Sequence, residues 1–335
     1  MKSRVLVCIV ALLALLAASC GSDAAEVVAD GSDEAGALAQ DVADGKAIED
    51  EATTNNDAME DDAMEDEATA DDDATTDLPQ RIVSLSPTST EMLFAIGAGD
   101  RVVAVDDYSN FPAAAPMTDL SGFTPNIEAI AGFEPDLVIS SGPIEGLDAI
   151  GIENYVAPAA TNLDDIYAQI EQLGALTGNV GESAELVLQM QTDIDAVLAS
   201  LPERETPLTY YHELDNTLYS VTSGTFIGYV YDLFGLVNVA DPADPDGEAF
   251  GYPQLNQEFL VTANPDIIFL ADTLCCEQTA ETVAARPGWD QIAAVQNGNI
   301  VELNDDVVSR WGPRIVDFIE IVGAAVNELE PVATS

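Results

Sequence analysis

The sequence predicts an α/β protein of two similar lobes, each with a central parallel-type sheet, joined by one long rigid interlobe helix. Short apolar runs alternate with helical stretches from residue 78 onwards, which is the sequence pattern of an α/β fold. Part of this pattern occurs twice along the chain, and the longest helical stretch, 182–201, lies between the two copies. A length of 335 residues is sufficient for two such lobes.

The charge balance excludes two classes of partner. The chain has 61 acidic residues against nine basic ones, a formal net charge of −52. Nucleic acids and anionic lipid surfaces both require clustered lysine and arginine, so neither is an expected partner. The chain has one histidine, His212, so a site with several histidine ligands, as for zinc or non-haem iron, is impossible within it. We predict no metal site, with His212 only as a candidate axial ligand.

The first 19 residues predict a secretory signal peptide. Lys2 and Arg4 precede an apolar run, 5–18, that is shorter than the roughly 20 residues needed to span a bilayer. The sequence from Leu16 to Cys20 resembles the bacterial lipobox, in which the cysteine is acylated after cleavage. We expect an exported protein that is anchored to the cell membrane only by a lipid at Cys20. The alternative is an ordinary cleaved signal with an incidental cysteine.

An acidic disordered tether is predicted over 20–78. The segment has no aromatic residue, and its DAMED sequence occurs twice in succession at 57–66. Such a composition buries too little apolar surface to offset the entropy of ordering, and its like charges extend it. The body from Leu78 onwards has no lysine and six arginines. This acidic surface suggests a saline habitat, where salt screens its self-repulsion.

The N-terminal lobe is predicted over 79–175. Its strands are expected at 81–85, 102–105 and 136–140. Ser86 and Pro87 suit the start of a helix that ends before Gly97.

The interlobe helix is predicted within 176–204 and the C-terminal lobe over 205–331. The stretch 182–201 has apolar residues at a spacing of three to four, as in an amphipathic helix. In the C-terminal lobe, the apolar run 266–271 follows a proline and predicts a buried parallel strand.

The repeat relates Asn126–Ile130 to Asn256–Leu260. Each segment is followed, at the same spacing, by Pro-Asp and then an apolar strand. Such a long period indicates two lobes rather than a solenoid. Ligands of open α/β sheets bind beyond the carboxyl ends of the strands, and interfaces between domains are favoured pocket sites. We therefore expect a binding cleft between the lobes.

Four segments in order, at 81–112, 126–139, 252–270 and 287–315, resemble the cobalamin and ferric-siderophore binding proteins of ABC importers. These are the binding proteins with a rigid interlobe helix, and their lipoprotein form fits the predicted export signal. The resemblance implies a monomer without a permanent cofactor. It would capture a metal chelate, a ferric siderophore or a cobalamin-type corrinoid, and deliver it to an ABC permease.

The resemblance also implies two docking residues. In the family, one surface glutamate on each lobe contacts arginines of the permease, and these positions match Glu128 and Glu258. Complementary charges would place the two partners in register. The alternative is that both are first-turn helix acids that the helix dipole favours.

The ligand contacts are implied in the same way. Tyr108, Phe123 and Tyr252 match aromatic residues of the family's cleft, Arg310 matches a basic residue that meets the ligand, and Trp311 lies beside it. Aromatic rings give a large contact area against a flat macrocycle, and arginine can bind an anionic chelate. For Tyr252 and Trp311, packing in the core or at its rim is the alternative.

Arg314 follows Gly312-Pro313 at the predicted start of the last helix. The helix dipole disfavours a cation at this position. We therefore expect Arg314 to have a specific partner, an internal carboxylate.

Three further residues leave alternatives open. Cys275 and Cys276 follow a predicted strand and would face the cleft. We expect a vicinal disulfide between them, the alternatives being pairing between molecules or binding of a soft metal by the thiolates. His212 ends a predicted strand as a neutral hydrogen-bonding residue or, alternatively, as an axial ligand to cobalt or haem iron.

An enzyme is not predicted. The sequence has neither a G-x-S-x-G elbow nor a P-loop, and Gly97-Ala98-Gly99 lacks the third glycine of a dinucleotide site. A ligand-binding sensor without transport remains the nearer alternative, and an exported enzyme the more distant one. A sensor would keep the cleft but would not need the docking glutamates.

Overall fold

The computed structural model describes residues 78–329. The predicted signal peptide, the predicted lipidation site Cys20 and the predicted tether up to residue 77 lie outside the described residues. Among the helices of the described part, none is long and apolar enough to cross a membrane.

A five-stranded sheet forms the centre of the N-terminal lobe. Its strands are β1 (Ile82–Leu85), β2 (Val102–Asp106), β3 (Met117–Leu120), β4 (Leu137–Ser140) and β5 (Glu153–Val156). Their order is β3-β2-β1-β4-β5, and all pairs are parallel. The helices of this lobe are α1 (Pro87–Ala95), α2 (Ile127–Ala131) and α3 (Leu163–Thr177).

A four-stranded sheet forms the centre of the C-terminal lobe. Its strands are β6 (Thr209–Glu213), β7 (Val237–Asn238), β8 (Ile267–Leu270) and β9 (Ile300–Glu302), in the order β7-β6-β8-β9 with all pairs parallel. The helices after the interlobe helix α4 (Val180–Ala199) are α5 (Phe226–Asp232), α6 (Gln257–Ala263), α7 (Ala280–Ala284), α8 (Ala293–Asn297), α9 (Asp305–Val308) and α10 (Ile315–Glu328). The predicted fold class is confirmed.

Helix α1 shows how the local sequence sets an element. The Ser86 hydroxyl accepts a hydrogen bond from the Ser89 N–H, and Pro87 occupies the first turn, where its missing N–H costs nothing. Gly97 follows the helix with φ of +81°, a conformation that glycine adopts without strain. The predicted helix is therefore confirmed.

Helix α4 braces the two lobes. It was predicted at 182–201 and runs from Val180 to Ala199, packed between α3 of the first lobe and α10 of the second. The contact with α10 is close, because a Cβ added to Gly323 would lie 2.5 Å from Cγ1 of Val197. A helix packed this tightly on both sides limits hinge motion between the lobes.

The hydrophobic core is shared between the lobes. One cluster combines residues of β1, α1, α3 and α4 with residues of β6, α5 and α10. Two smaller clusters cover the opposite face of each sheet. Both faces of each sheet are thus buried, as is usual for parallel strands.

The internal repeat has a physical cause. The side chains of Asn126 and Asn256 cap α2 and α6 by accepting backbone N–H groups. Asp136 accepts the N–H groups of residues 80 and 81 at the start of β1, and Asp266 accepts the N–H and hydroxyl of Thr209 at the start of β6. In each lobe the repeated motif caps one helix and ties two neighbouring central strands together.

Candidate ligand-binding cleft

The carboxyl ends of the strands in the two sheets face each other. The loop after β2 contacts the segment after β9: Asn110 Nδ2 donates to Asp306 Oδ2 at 2.8 Å, and Arg310 Nη2 donates to the Tyr108 carbonyl at 3.1 Å. These are the edges at which open α/β sheets bind ligands. The structure therefore places the candidate cleft between the lobes, beside these contacts.

An ion cluster of Glu91, Asp306, Arg310 and Arg314 joins the lobes at this edge. Glu91 on α1 accepts Arg310 Nη1 at 2.9 Å, Arg314 Nε at 2.8 Å and Arg314 Nη2 at 2.5 Å. Arg310 also donates to Asp306 at 2.8 Å. We call these four residues the interlobe ion cluster. Its two guanidinium groups are balanced by two carboxylates.

The expected carboxylate partner of Arg314 is confirmed. It is Glu91, which is 3% exposed, and the hydrogen bond between them raises the pKa of Arg314 above its ordinary value. The role of Glu91 itself was missed. The available signal was an acidic residue in a helix whose neighbouring residues are all buried.

An aromatic patch lies on the N-terminal side of the cleft. It consists of Tyr108, Phe111 and Phe123, which are 42%, 43% and 47% exposed. The Tyr108 and Phe123 rings pack edge to face with centroids 5.7 Å apart, and the Arg314 guanidinium lies 4.2 Å from the Phe111 centroid. Exposed aromatic rings that are grouped in this way indicate a binding surface. Phe111 was not predicted.

Hydrogen bonds from its backbone N–H groups hold the patch in place. The buried carboxyl of Asp106, at the end of β2, accepts the Tyr108 N–H at 3.0 Å, and burial raises its pKa. The Ser121 hydroxyl accepts the Phe123 N–H, and a Cβ at Gly122 would lie 2.5 Å from the Leu85 carbonyl oxygen. Only glycine allows the loop after β3 to approach β1 so closely.

The other predicted ligand contacts are more enclosed. Tyr252 and Trp311 are half-buried and pack against the main core, and burial raises the pKa of Tyr252. Their position favours the packing role that the sequence left open. Arg310 is 7% exposed, and its guanidinium is engaged in the interlobe ion cluster.

A buried polar group lies at the strand ends of the C-terminal lobe. Arg286 binds both oxygens of Glu213, at the end of β6, with distances of 2.6 and 2.5 Å. Asp272, after β8, is fully buried, and neither of its oxygens has a hydrogen-bond partner among the described residues. Burial and the nearby Glu213 charge raise the pKa of Asp272 to about 8. Burial therefore favours the neutral form of this carboxyl.

Cys275 and Cys276 are joined by a disulfide in the structure. The loop that contains them is anchored to Asp305, whose carboxylate accepts the N–H groups of Thr273, Leu274 and Cys275 at 2.8 to 3.1 Å. Across residues 78–329, no group of three or more histidine, cysteine, aspartate or glutamate residues is arranged to hold a metal ion.

His212 is fully buried in β6. Its Nδ1 lies 2.8 Å from the Tyr231 hydroxyl, and burial lowers its pKa to about 3, so the ring is neutral. This is the arrangement of the neutral hydrogen-bonding residue. A ligand in the cleft would find no exposed atom of the ring to coordinate.

Glu128 and Glu258 occupy equivalent positions in the first turns of α2 and α6. Both side chains are exposed. Among the described residues neither carboxylate forms an ion pair, so both are available to an external partner.

Two α/β lobes that meet at their strand ends, braced by one helix and with exposed aromatic rings at the junction, define a bilobed ligand-binding protein. The family model described as "Periplasmic binding protein" matches residues 82–307, and the chain belongs to this family. The resemblance seen in the sequence is thereby confirmed.

Three similar proteins illustrate the family. A "Cobalamin-binding protein" of Halobacterium salinarum is 30% identical over 71% of this chain and 67% of its own length. An "Uncharacterized ABC transporter substrate-binding lipoprotein" of Bacillus subtilis is 27% identical over 74% of this chain and 80% of its own. The crystal structure of a periplasmic vitamin B12 binding protein of Vibrio cholerae aligns with a TM-score of 0.59 and 28% identity, over 74% of this chain and 96% of the other.

Proposed function

We propose that this protein is the substrate-binding protein of an ABC importer, held outside the cell membrane by a lipid at Cys20. It captures a metal chelate between its lobes and delivers it to the permease. The observation that carries this proposal is the exposed aromatic patch at the junction of the two lobes, in a member of the periplasmic binding protein family.

A cobalamin-type corrinoid is the chelate best supported, and a ferric siderophore is the second candidate. The relatives from Halobacterium and Vibrio are named for cobalamin or vitamin B12 binding. Tyr108, Phe111 and Phe123 together offer the broad aromatic surface that a flat macrocycle requires. These relatives are binding proteins, which favours binding over the alternative of an exported enzyme.

Capture requires little movement of the lobes. The interlobe ion cluster ties α1 to the start of α10, and α4 packs against both lobes. The ligand would therefore enter a cleft that is largely formed beforehand, which reduces the entropy cost of binding. Release would then be driven by the permease, with ATP hydrolysed by a separate subunit.

Docking would use Glu128 and Glu258, one on each lobe. Their exposed carboxylates would pair with cationic residues of the permease and set its register on both lobes at once. The lipoprotein name of the Bacillus relative supports a membrane-anchored location outside the cytoplasm. A sensor without transport would not need these two charges.

An uptake experiment tests the proposal. The Glu128→Ala/Glu258→Ala double variant is expected to abolish uptake of labelled cyanocobalamin in cells that depend on this protein, with unchanged affinity of the purified protein. The matched control is Asp164→Ala/Glu281→Ala, which removes two other exposed first-turn helix acids, one per lobe. Uptake that survives the first double change contradicts docking, and equal loss in both variants supports the helix-dipole role.

A further inference from the structure

Every positively charged side chain in the described part of the chain forms hydrogen bonds within the protein. Residues 78–329 contain no lysine, and His212 is neutral, so six arginines carry all the cationic charge of the described side chains. Each of them donates hydrogen bonds to acceptors of the protein: Arg81, Arg101, Arg204, Arg286, Arg310 and Arg314.

The arginines at the cleft are the ones most fully engaged by partners within the protein. Arg310 and Arg314 are the two arginines of the interlobe ion cluster, with side chains that are 8% and 19% exposed. Glu91 and Asp306 balance both charges, and the Phe111 ring covers the Arg314 guanidinium. An anionic ligand would therefore have to displace one of these carboxylates to gain a counter-charge.

The opposite side of the cleft offers no better counter-charge. Arg286, near the carboxyl ends of β6 and β8, is neutralised by Glu213 and lies near the buried Asp272. Asp107, next to the aromatic patch, and Glu277, next to the disulfide loop, are exposed acids. Among these charged groups the carboxylates therefore outnumber the guanidinium groups, which favours a negative potential at the cleft.

From this geometry we infer that the cleft takes a chelate without net negative charge, a neutral or cationic corrinoid, and rejects anionic chelates such as ferric tris-catecholates and haem. The inference rests on the proposed function, because it concerns the ligand of the same cleft. An anionic group would lose its hydration here without gaining a cation, and a buried charge is stable only when it is paired. The amide-rich, uncharged edge of a corrinoid meets no such penalty.

A matched ligand pair tests the inference. Cyanocobalamin has no net charge, and its monocarboxylate differs by one side-chain amide changed to a carboxylate. We expect the purified protein to bind the monocarboxylate at least about tenfold more weakly at low salt, as for a polar group left without a partner. The difference should shrink as NaCl screens the cleft. A cationic ferric hydroxamate, a ferric tris-catecholate and haem complete the series.

Two variants connect the selectivity to the ion cluster. Asp306→Asn removes one balancing carboxylate. It should reduce severalfold the ratio between the affinities for cyanocobalamin and for its monocarboxylate. Asp290→Asn makes the same change at an exposed site outside the cluster and should leave the ratio unchanged. Equal shifts in the two variants, or no shift in Asp306→Asn, would contradict the role of the cluster.

The outcomes separate the two proposals. Equal affinity for the two cobalamins, or tighter binding of the catecholate or haem than of any uncharged chelate, overturns the inference and leaves the proposed function standing. If folded protein binds no member of the series, the proposed function itself is contradicted.

Discussion

The two lobes follow one plan but use their strand ends differently. In the N-terminal lobe the loops after β2 and β3 expose the three rings of the aromatic patch, whereas in the C-terminal lobe the strand ends bear the buried Glu213–Arg286 ion pair and Asp272. The motif that caps α2 and α6 and ties the central strands is nevertheless the same in both. The comparison teaches that the framework is held constant by a few hydrogen bonds while the loops facing the ligand diverge.

The largest loss of stability is expected from a change in the interlobe ion cluster. Glu91→Gln would leave Arg310 and Arg314 without their shared carboxylate, and removal of one member of a buried ion pair typically costs about 3–5 kcal/mol. We expect the free energy of unfolding in denaturant to fall by about that amount. Asp306→Asn, at a site one-third exposed, should cost about 0–1 kcal/mol. Similar small losses in both variants would show that the cluster does not hold the lobes together.

The different roles of the two lobes can be tested by removing aromatic rings from the N-terminal lobe. Removal of two of the three rings of the aromatic patch, in Tyr108→Ala/Phe123→Ala, is expected to weaken chelate binding by about 2 kcal/mol or more, because aromatic anchors dominate contact energy. Stability should change little. The control is Leu188→Ala, which truncates a side chain on α4 that is 65% exposed. If affinity in a ligand titration is retained by the double variant, the ligand does not rest on the aromatic patch.

A smaller effect on stability is expected from changes in the packing of α4, the helix that braces the two lobes. Gly323→Ala would place a Cβ 2.5 Å from Val197 Cγ1, and such overpacking costs about 1–3 kcal/mol. Gly181→Ala, on α4, meets no atom within 4 Å and should stabilise the helix by about 0.5–1 kcal/mol. Thermal unfolding of the two variants checks both signs, and destabilisation of both would contradict the close packing assigned to Gly323.

The buried Asp272 of the C-terminal lobe predicts that the free energy of unfolding changes gradually with pH. The pKa of Asp272 is about 8 in the folded protein and near 3.8 when unfolded, so the folded state holds the extra proton between about pH 4 and about pH 8. Its contribution to the free energy of unfolding therefore falls as pH rises through this window, by at most about 1.4 kcal/mol per pH unit.

Replacing the acid isolates this contribution. Asp272→Asn cannot titrate, so its stability relative to the wild type should rise from about pH 4 to about pH 8 in denaturant unfolding. The matched control is the same change at the exposed Asp290. A flat difference for Asp272→Asn would mean that the carboxyl is ionised throughout.

Much of the framework could be predicted from the sequence because its causes are local or repeated. The caps at Ser86 and Asn126, the apolar runs of the strands and the period of α4 all act within a few residues, and the predicted elements agree with the structure to within about two residues. The repeat identified the two lobes because Asp136 and Asp266 perform the same task.

The site was predicted less fully because its contacts join distant parts of the chain. A carboxylate for Arg314 was expected from the helix dipole, but nothing local indicates that Glu91 supplies it from the other lobe. Phe111 and the buried Glu213–Arg286 pair were missed for the same reason. The roles of Glu128, Glu258 and the cleft aromatics came from the resemblance and remain predictions.

The central claim, that the cleft between the lobes captures a metal chelate, is tested most directly by titrating the purified protein with cyanocobalamin in high salt while recording tryptophan fluorescence. Trp311 lies next to Arg310 of the interlobe ion cluster and should be quenched by a corrin bound there. The account predicts saturable quenching at one corrinoid per protein, reduced in Tyr108→Ala/Phe123→Ala. Folded protein that shows no saturable quenching, and retains no coloured ligand after desalting, would contradict it.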